Sequence, residues 1–201
     1  MDGLETQFPQ GKSMSSRQEA LAFIWETAKV VVISLAIIIP IRYFLVQPFF
    51  VKGASMEPTF EDGNYILIDE ISYRFHEPKR GDIIIFRFPH DKSQFFIKRI
   101  IGLPDETLEI KDNKIIIYNK DKTDGFILDE TSYLSANQET LGNFRFKVDS
   151  NSYFVLGDNR PRSSDSRIWG EVNKSLVTGR VFFRALPINN LGRFPEVKYS
   201  Q

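Results

Sequence analysis

The pattern of apolar and polar residues changes sharply along the first 51 residues. Residues 1–20 are polar and predict a disordered tail, whereas the 22 residues of Val30–Val51 include 17 apolar side chains and one charge, Arg42. Extending the apolar run as far as Val46 gives a helix about 25 Å long at roughly 1.5 Å per residue. That length nearly crosses a hydrocarbon core when flanking basic side chains reach opposite headgroup layers. The pattern therefore predicts a single transmembrane helix over residues 28–47.

Two other interpretations of this apolar run stay open. A buried core helix and the apolar part of a cleaved signal peptide have similar lengths. Arg42 interrupts the run, and cleavage after Ala54 would put Lys52 where a small residue is expected, so a signal peptide is disfavoured. The few basic residues before the run slightly favour a cytoplasmic N-terminus. We therefore expect a cytoplasmic tail over residues 1–27 and an extracytoplasmic domain over residues 48–201.

After residue 51 the pattern becomes one of short β-strands, rich in β-branched and aromatic residues and bounded by turn residues. The predicted strands are Tyr65–Asp69, Asp82–Phe88, Gln94–Ile101, Thr107–Lys111, Lys114–Tyr118, Tyr153–Gly157 and Val181–Ala185. Asp112-Asn113 predicts a tight hairpin turn, and residues 119–143, which are polar and weakly patterned, predict a long loop or insertion. The predicted fold class is mainly β: one N-terminal transmembrane helix, then an all-β domain of barrel or sandwich type.

Composition excludes several classes of function. The 26 basic and 26 acidic residues give a net charge of 0, which disfavours a nucleic-acid partner because phosphates require a basic excess. The chain has no cysteine, so a disulfide, a thiolate metal site and a cysteine nucleophile are impossible. Its two histidines, His76 and His90, lie in turn-like segments and are too few for a histidine-rich metal centre. We expect neither a metal nor an organic cofactor.

Few pairs of a nucleophile and a base remain, and a serine activated by a neutral lysine is one of them. Ser55 stands in a proline-containing turn just after the apolar run. Lys98 lies in a predicted strand, where it shares an apolar face with Phe96 and Ile100 because side chains alternate. Desolvation on such a face lowers the pKa of a lysine and favours the neutral amine. Taken singly, a turn serine and a strand lysine whose amine reaches water are the simpler interpretations.

Five segments in one order along the chain carry a resemblance. They are IRYFLVQPFFVKGASMEPT, GDIIIF, FIKRIIGLPDE, YFVLGDNRPRSSDSRIWG and GRVFFRALP. Over about Ile41 to Phe194, the sequence resembles the bacterial type I signal peptidases, also called leader peptidases. These are membrane-anchored serine endopeptidases, and the resemblance implies that activity here. A single anchor and a short β-domain resemble the compact forms of the family.

The resemblance implies roles for individual residues. Ser55 matches the nucleophile and Lys98 the general base. The remaining matches are Met56 lining the substrate pocket, Gly157 packed against the lysine, Ser163 hydrogen-bonded to its amine, the site-shaping ion pair of Asp158 and Arg99, and the structural residues Asp165 and Arg167. Gly53 stands where some members carry a serine that donates to the oxyanion. The donors here are therefore expected to be backbone N–H groups, chiefly that of Ser55.

The implied function is the removal of N-terminal signal peptides from secreted preproteins. Cleavage would follow small residues at −1 and −3 and proceed through an acyl-enzyme. The implied partners are preprotein substrates and membrane lipid, without nucleic acid or metal. The implied location is the cytoplasmic (inner) membrane, crossed once.

Other functions fit parts of the pattern. A self-cleaving repressor-type protease uses the same pair of residues, but carries a DNA-binding helical domain in place of a membrane span. Eukaryotic-type signal peptidase subunits resemble the family but have histidine where Lys98 stands. A membrane-tethered β-domain that binds exported proteins without catalysis is the non-enzymatic alternative.

Overall fold

The structure is a computed structural model that describes residues 16–40, 46–135, 138–194, 197 and 199. It divides into two units, Met1–Arg42 and Tyr43–Gln201, and each is described by itself. Residues 1–15 of the predicted tail lie outside the described part of the chain.

The described part of the first unit is a helix, α1, Ser16–Pro40. It begins before the predicted 28–47 span because residues 16–29 are mostly good helix formers, joined by a Glu26–Lys29 ion pair of 2.6 Å. The prediction that the helix continues to Val46 is wrong. The described part of the helix reaches Pro40, and Val46 already belongs to a strand, in which it pairs with Asp69. The stretch Ser16–Ile39 still has the length and apolar composition to cross a membrane.

The second unit is built from antiparallel strands. Their bounds are β1 Val46–Phe50, β2 Tyr65–Asp69, β3 Ile83–Phe88, β4 Asp91–Gly102, β5 Thr107–Lys111, β6 Lys114–Tyr118, β7 Phe126–Ile127, β8 Phe144–Lys147, β9 Ser152–Leu156, β10 Val172–Asn173, β11 Val177–Leu186 and β12 Gly192–Arg193. Short helices α2, Ser72–Phe75, and α3, Ser166–Trp169, lie between strands. The predicted mainly-β fold is confirmed, and each predicted strand is present with some ends shifted.

Among the described residues, the strands form a larger and a smaller sheet. The larger has the order β1-β2-β11-β3-β4-β9-β10 with β12 paired to β11, and the smaller has the order β7-β6-β5-β8. β4 pairs with both β3 and β9, and alternation along it puts Lys98 and Arg99 on opposite faces. β1 is an edge strand, where Pro48 is tolerated because one side of the strand needs no ladder donor.

Several strands are not predicted by the sequence pattern. β1 is hidden inside the apolar run, and β7, β10 and β12 are too short to show a period of two. The hairpin turn is confirmed, since Asp112 and Asn113 have φ of 50° and 61°, the left-handed backbone of a type I′ turn. Of the described residues in 119–143, only those of β7 have regular secondary structure.

Strand β4 is fixed by the core on both of its faces. Its residues Ile97, Ile100 and Ile101 belong to three different clusters of buried apolar side chains. One cluster also contains Val51 and Phe60, from the segment around Ser55. The packing therefore holds the strand that carries Lys98 and the turn that carries Ser55 against one another.

We expect Gly102→Ala to lower the free energy of unfolding by about 1–3 kcal/mol. An added Cβ would collide with the end of the Leu108 side chain and lie 2.9 Å from Phe154 Cβ. The Phe154 atom adjoins its backbone and cannot swing away. Gly192→Ala is the matched control, because nothing lies within 4 Å of its Cβ, and we expect a change within about 0.5 kcal/mol. Equal urea-denaturation midpoints for the two variants would contradict this packing.

Candidate active site

The backbone around Ser55 is fixed by contacts on both sides of the turn after β1. Val51 N–H donates to Asn64 O at 2.9 Å and Val51 O accepts from Gly63 N–H at 2.9 Å. Gly53 has φ of 84°, a left-handed conformation that favours glycine. Its N–H donates to Asp62 Oδ1 at 2.7 Å. The N–H of Gly53 is therefore already bonded within the protein.

Asn159 ties the same turn to the loop that follows β9. Its backbone N–H donates to Ser55 O at 3.0 Å, and its side-chain Nδ2 donates to Ala54 O at 2.9 Å. Two consecutive carbonyl groups are thus turned toward Asn159. This arrangement orients the peptide plane that contains the Ser55 N–H, and within the described chain that N–H donates to no protein acceptor.

Lys98 and Ser55 meet as the sequence predicts. Lys98 Nζ is 2.8 Å from Ser55 Oγ and donates to Ile97 O at 2.8 Å. The lysine side chain is only 4% exposed, and its amine lies 5.6 Å from the centre of the Phe96 ring. Burial lowers the pKa of Lys98 to about 8, although the charges of Asp165 and Asp158 oppose that shift. The predicted apolar strand face and the depressed lysine pKa are confirmed.

The loop after β9 closes over the pair through Gly157. Asp165 Oδ2 accepts from the Gly157 N–H at 3.1 Å, and Arg167 Nε donates to Asp165 Oδ1 at 2.8 Å. A Cβ built at Gly157 would collide with Ser163 Oγ and with Ser55 O. Only glycine fits here, and the atoms nearest to it belong to Ser163 and Ser55.

Arg99 and Asp158 form the predicted ion pair. Arg99 Nε and Nη2 donate to the two carboxylate oxygens of Asp158 at 2.8 and 2.6 Å, and both residues are buried. Thr59 Oγ1 donates to the same carboxylate at 2.5 Å. This bidentate geometry is the strong form of a charge-assisted hydrogen bond.

Two expectations differ from the structure. Ser163 does not hydrogen-bond Lys98: its Oγ is buried without a partner among the described residues, because it packs over Gly157 instead. Met56 does not line an open pocket. Its side chain is 0% exposed and packs in the core with Phe60 and Ile66, so in this conformation it supports the turn from beneath.

A groove of about 670 Å³ opens beside Ser55 and Lys98. Its walls come from the end of β1, the Ser55 turn, β4 and the loop after β9. The lining residues are Phe49, Phe50, Val51, Lys52, Gly53, Ala54, Ser55, Ile66, Ile85, Gln94, Phe95, Phe96, Ile97, Lys98, Arg162 and Ser164. The two histidines are exposed and are not among them.

The signal peptidase family model, described as "Signal peptidase, peptidase S26", matches residues 24–186. The chain belongs to this family. It is 35% identical over 178 residues to probable signal peptidase I-1 of Synechocystis sp., covering 85% of this chain and 87% of the relative. It is 37% identical over 162 residues to signal peptidase I V of Bacillus subtilis, covering 77% and 94%. A crystal structure of signal peptidase I from Enterococcus faecalis has 37% identity, covers 52% of this chain and 97% of that one, and gives a TM-score of 0.43.

The family membership confirms the resemblance that the sequence motifs carry. The protein is therefore a peptidase, a hydrolase of the family that removes signal peptides. A repressor-type protease is excluded by the same matches.

Some residues of this signal peptidase site are not singled out by the sequence. Asn159 and Thr59 lie inside the motifs, but the sequence does not indicate which carbonyl or carboxylate group a polar residue in a turn contacts. Glu130 and Tyr133 lie in the weakly patterned 119–143 segment, and they contact Arg160 and Arg99 respectively. No local pattern connects residues so far apart in sequence.

We expect kcat/KM of this peptidase to rise with pH along an acid limb centred near pH 8. Only the neutral amine of Lys98 accepts a proton, and burial sets its pKa at about 8. Below that pH the rate falls about tenfold per unit, and above it the rate reaches a plateau. Cleavage of a peptide substrate from about pH 6 to about pH 10 measures the profile. The His76→Gln/His90→Gln double variant should keep the same midpoint, and a midpoint near the ordinary lysine value of 10.5 would contradict the prediction.

Proposed function

We propose that the protein cleaves signal peptides from secreted preproteins with Ser55 as the nucleophile and Lys98 as the general base. The observation that carries this proposal is the 2.8 Å separation of Lys98 Nζ and Ser55 Oγ, at a lysine whose burial depresses its pKa. An ammonium group cannot take the hydroxyl proton. A buried amine within hydrogen-bond distance can take it.

The reaction proceeds in two proton-balanced stages. Lys98 Nζ accepts the proton of Ser55 Oγ as that oxygen bonds to the scissile carbonyl carbon. The same proton passes to the leaving amine of the mature protein when the peptide bond breaks, which leaves the signal peptide esterified to Ser55. The Lys98 amine then takes a proton from a water molecule as the water oxygen bonds to the ester carbonyl carbon. The same proton passes to Ser55 Oγ when the ester bond breaks, which frees the signal peptide and restores both side chains.

Backbone groups supply the donors for the tetrahedral oxyanion. Gly53 has no hydroxyl, and its N–H is bonded to Asp62. The Ser55 N–H lies in the peptide plane that Asn159 orients. We therefore assign the principal donor to Ser55 N–H, since pre-aligned donors of this kind stabilise developing negative charge.

The groove beside Ser55 suits an extended peptide. Its walls are the strand residues Phe49 and Phe95, whose rings contact each other with centroids 5.3 Å apart, together with Ile85 and Ile97. A preprotein segment lying along these strands would pair its backbone and place alternate side chains in apolar pockets. We propose that small residues at −1 and −3 of the preprotein occupy these pockets.

The α1 helix is the proposed membrane anchor. Its stretch Ser16–Ile39 has 24 residues, about 36 Å at 1.5 Å per residue, which is enough for a hydrocarbon core. Phe50 is 64% exposed and Phe95 40% exposed at the groove. We propose that these rings lie close to the lipid surface, where a membrane-tethered preprotein presents its cleavage site.

The activity is tested by incubating the detergent-solubilised full chain with a precursor that bears a signal peptide. We expect one cleavage, identified by sequencing the product N-terminus. Ser55→Ala should abolish cleavage because it removes the nucleophilic hydroxyl. Lys98→Arg should abolish it because guanidinium stays protonated at neutral pH. Lys92→Arg is the matched control, an exposed lysine on the same strand, and should retain full activity. Processing by Ser55→Ala would instead favour a tethered binding domain.

We expect the domain that carries Ser55 to lie on the outer side of the cytoplasmic membrane, with the N-terminus inside. Signal peptides are removed where preproteins emerge, so the catalytic residues must face that side. Protease added to intact spheroplasts should degrade the second unit, and an antibody to an N-terminal tag should detect a protected fragment. Protection of the second unit would reverse the proposed orientation.

A further inference from the structure

A segment next to the smaller sheet reaches two buried arginines beside the active site, Arg99 on β4 and Arg160 in the loop after β9. This supporting segment comprises residues Leu128–Leu134. Leu128 anchors it, since its N–H donates to Ile115 O at 2.8 Å and its side chain is buried in the cluster of the smaller sheet. A turn follows in which Tyr133 N–H and Leu134 N–H both donate to Glu130 O, at 3.2 and 3.0 Å.

Glu130 supplies the counter-charge for Arg160. The Arg160 side chain is 1% exposed, and its Nη1 and Nη2 donate to the two carboxylate oxygens of Glu130 at 2.8 and 2.5 Å. Arg160 Nη1 also donates to Thr140 Oγ1. Its Nε donates to Gly157 O at 3.0 Å. One guanidinium therefore links the supporting segment to the glycine that closes over Ser55.

Tyr133 reaches the second arginine. The guanidinium carbon of Arg99 lies 3.9 Å from the centre of the Tyr133 ring, and Tyr133 Oη donates to Glu130 Oε1 at 2.5 Å. Arg99 in turn holds Asp158. The contacts form a closed ring around the Gly157-Asp158 backbone: Asp158 to Arg99, Arg99 to Tyr133, Tyr133 to Glu130, Glu130 to Arg160, and Arg160 to Gly157 O.

We propose that Glu130 and Tyr133 are positioning residues for catalysis, and that the smaller sheet serves to hold the supporting segment against the loop after β9. This inference rests on the proposed function, because it assumes that Ser55 and Lys98 perform the reaction. Neither residue lines the groove beside Ser55. They act through Arg160 and Arg99 on the backbone that touches Ser55.

The electrostatics of the ring explain why both residues are needed. Arg99 and Arg160 are like charges that flank Asp158 in a site almost closed to water. A buried guanidinium that loses its partner is strongly destabilised, so it moves toward solvent or takes another carboxylate. If Glu130 is lost, Asp158 is another carboxylate whose charge acts on Arg160, and a move of the guanidinium toward it shifts Gly157 and the carbonyl of Ser55.

The test is a steady-state comparison of variants of the full chain on one precursor. We expect Glu130→Gln to lower kcat on the order of tenfold to a hundredfold, as small displacements of reacting groups do, while KM stays within about twofold. KM should hold because the groove is unchanged. Thr131→Ala is the matched control: Thr131 is exposed in the same turn, and its side chain bonds only Asp129 among the described residues, so both constants should stay at the wild-type values.

A double variant separates positioning from stability. Glu130→Gln/Arg160→Met removes both charges, so the Tm should recover relative to Glu130→Gln, since replacing both members of a buried pair is far less destabilising than removing one. kcat should stay low, because Gly157 O still lacks its donor. Recovery of kcat together with Tm would overturn the proposal, as would a change confined to KM. Should Glu130→Gln fail to fold, the kcat of the double variant decides.

Tyr133 gives an independent arm of the same experiment. Tyr133→Phe keeps the ring over Arg99 and should retain more kcat than Tyr133→Leu by at least about fivefold. Equal kcat values for the two variants would overturn the role of the ring.

Ser55→Ala is assayed alongside: cleavage by Ser55→Ala would reject the proposed function itself, whereas an inactive Ser55→Ala with a fully active Glu130→Gln would reject only the positioning role.

Discussion

The burial of the Lys98 amine beside the Ser55 hydroxyl sets the requirements that the surrounding structure meets. Desolvation favours the neutral amine, but Asp158 and Asp165 lie near enough to favour the ammonium form. Each of these carboxylates is paired with an arginine, Arg99 for Asp158 and Arg167 for Asp165. The pairing satisfies the carboxylates with partners other than the lysine. The polar loop thus approaches a lysine that must remain uncharged if it is to act as the proposed base.

Buried positive charge creates a second requirement, because Arg99 on β4 and Arg160 in the loop are both buried. A buried cation is stable only with a close partner or an aromatic face. Tyr133 and Glu130 meet this need from a segment that belongs to neither β4 nor the loop. The charged groups therefore form a series of contacts that starts at Lys98. The carboxylates near the lysine pair with arginines, and Arg99 and Arg160 contact Tyr133 and Glu130 of the supporting segment. Of the residues in this series, Glu130 has a side chain that is 12% exposed, whereas the side chains of Asp158 and Arg160 are 0% exposed.

The sequence predicts what depends on local periodicity and fails where distant residues decide. β5 and β6 are predicted with their observed bounds, because alternation and the Asp112-Asn113 turn are both local signals. The apolar face around Lys98 is local too, since Phe96 and Ile100 lie two residues away on the same strand. The strand Val46–Phe50 is missed because the apolar composition of α1 continues through it. Composition alone does not distinguish an apolar helix from an apolar edge strand.

The site residues show the same contrast between local signals, which the sequence carries, and contacts between distant residues, which it does not. Ser55 and Lys98 are found from motifs, but a motif gives no side-chain orientation, so the buried packing of Met56 and the unbonded hydroxyl of Ser163 are visible only in the structure. The 119–143 segment is the clearest case. Its polar, weakly patterned residues predict a loop, and among its described residues the structure has little regular secondary structure. Yet Leu128 is buried at one side and Thr140 at the other, so the described residues after the short strand β7 are held by side-chain contacts and not by strand pairing. A loop fixed in this way holds charged side chains in position as a strand does. Its conformation depends on contacts with residues distant in sequence, such as Arg160.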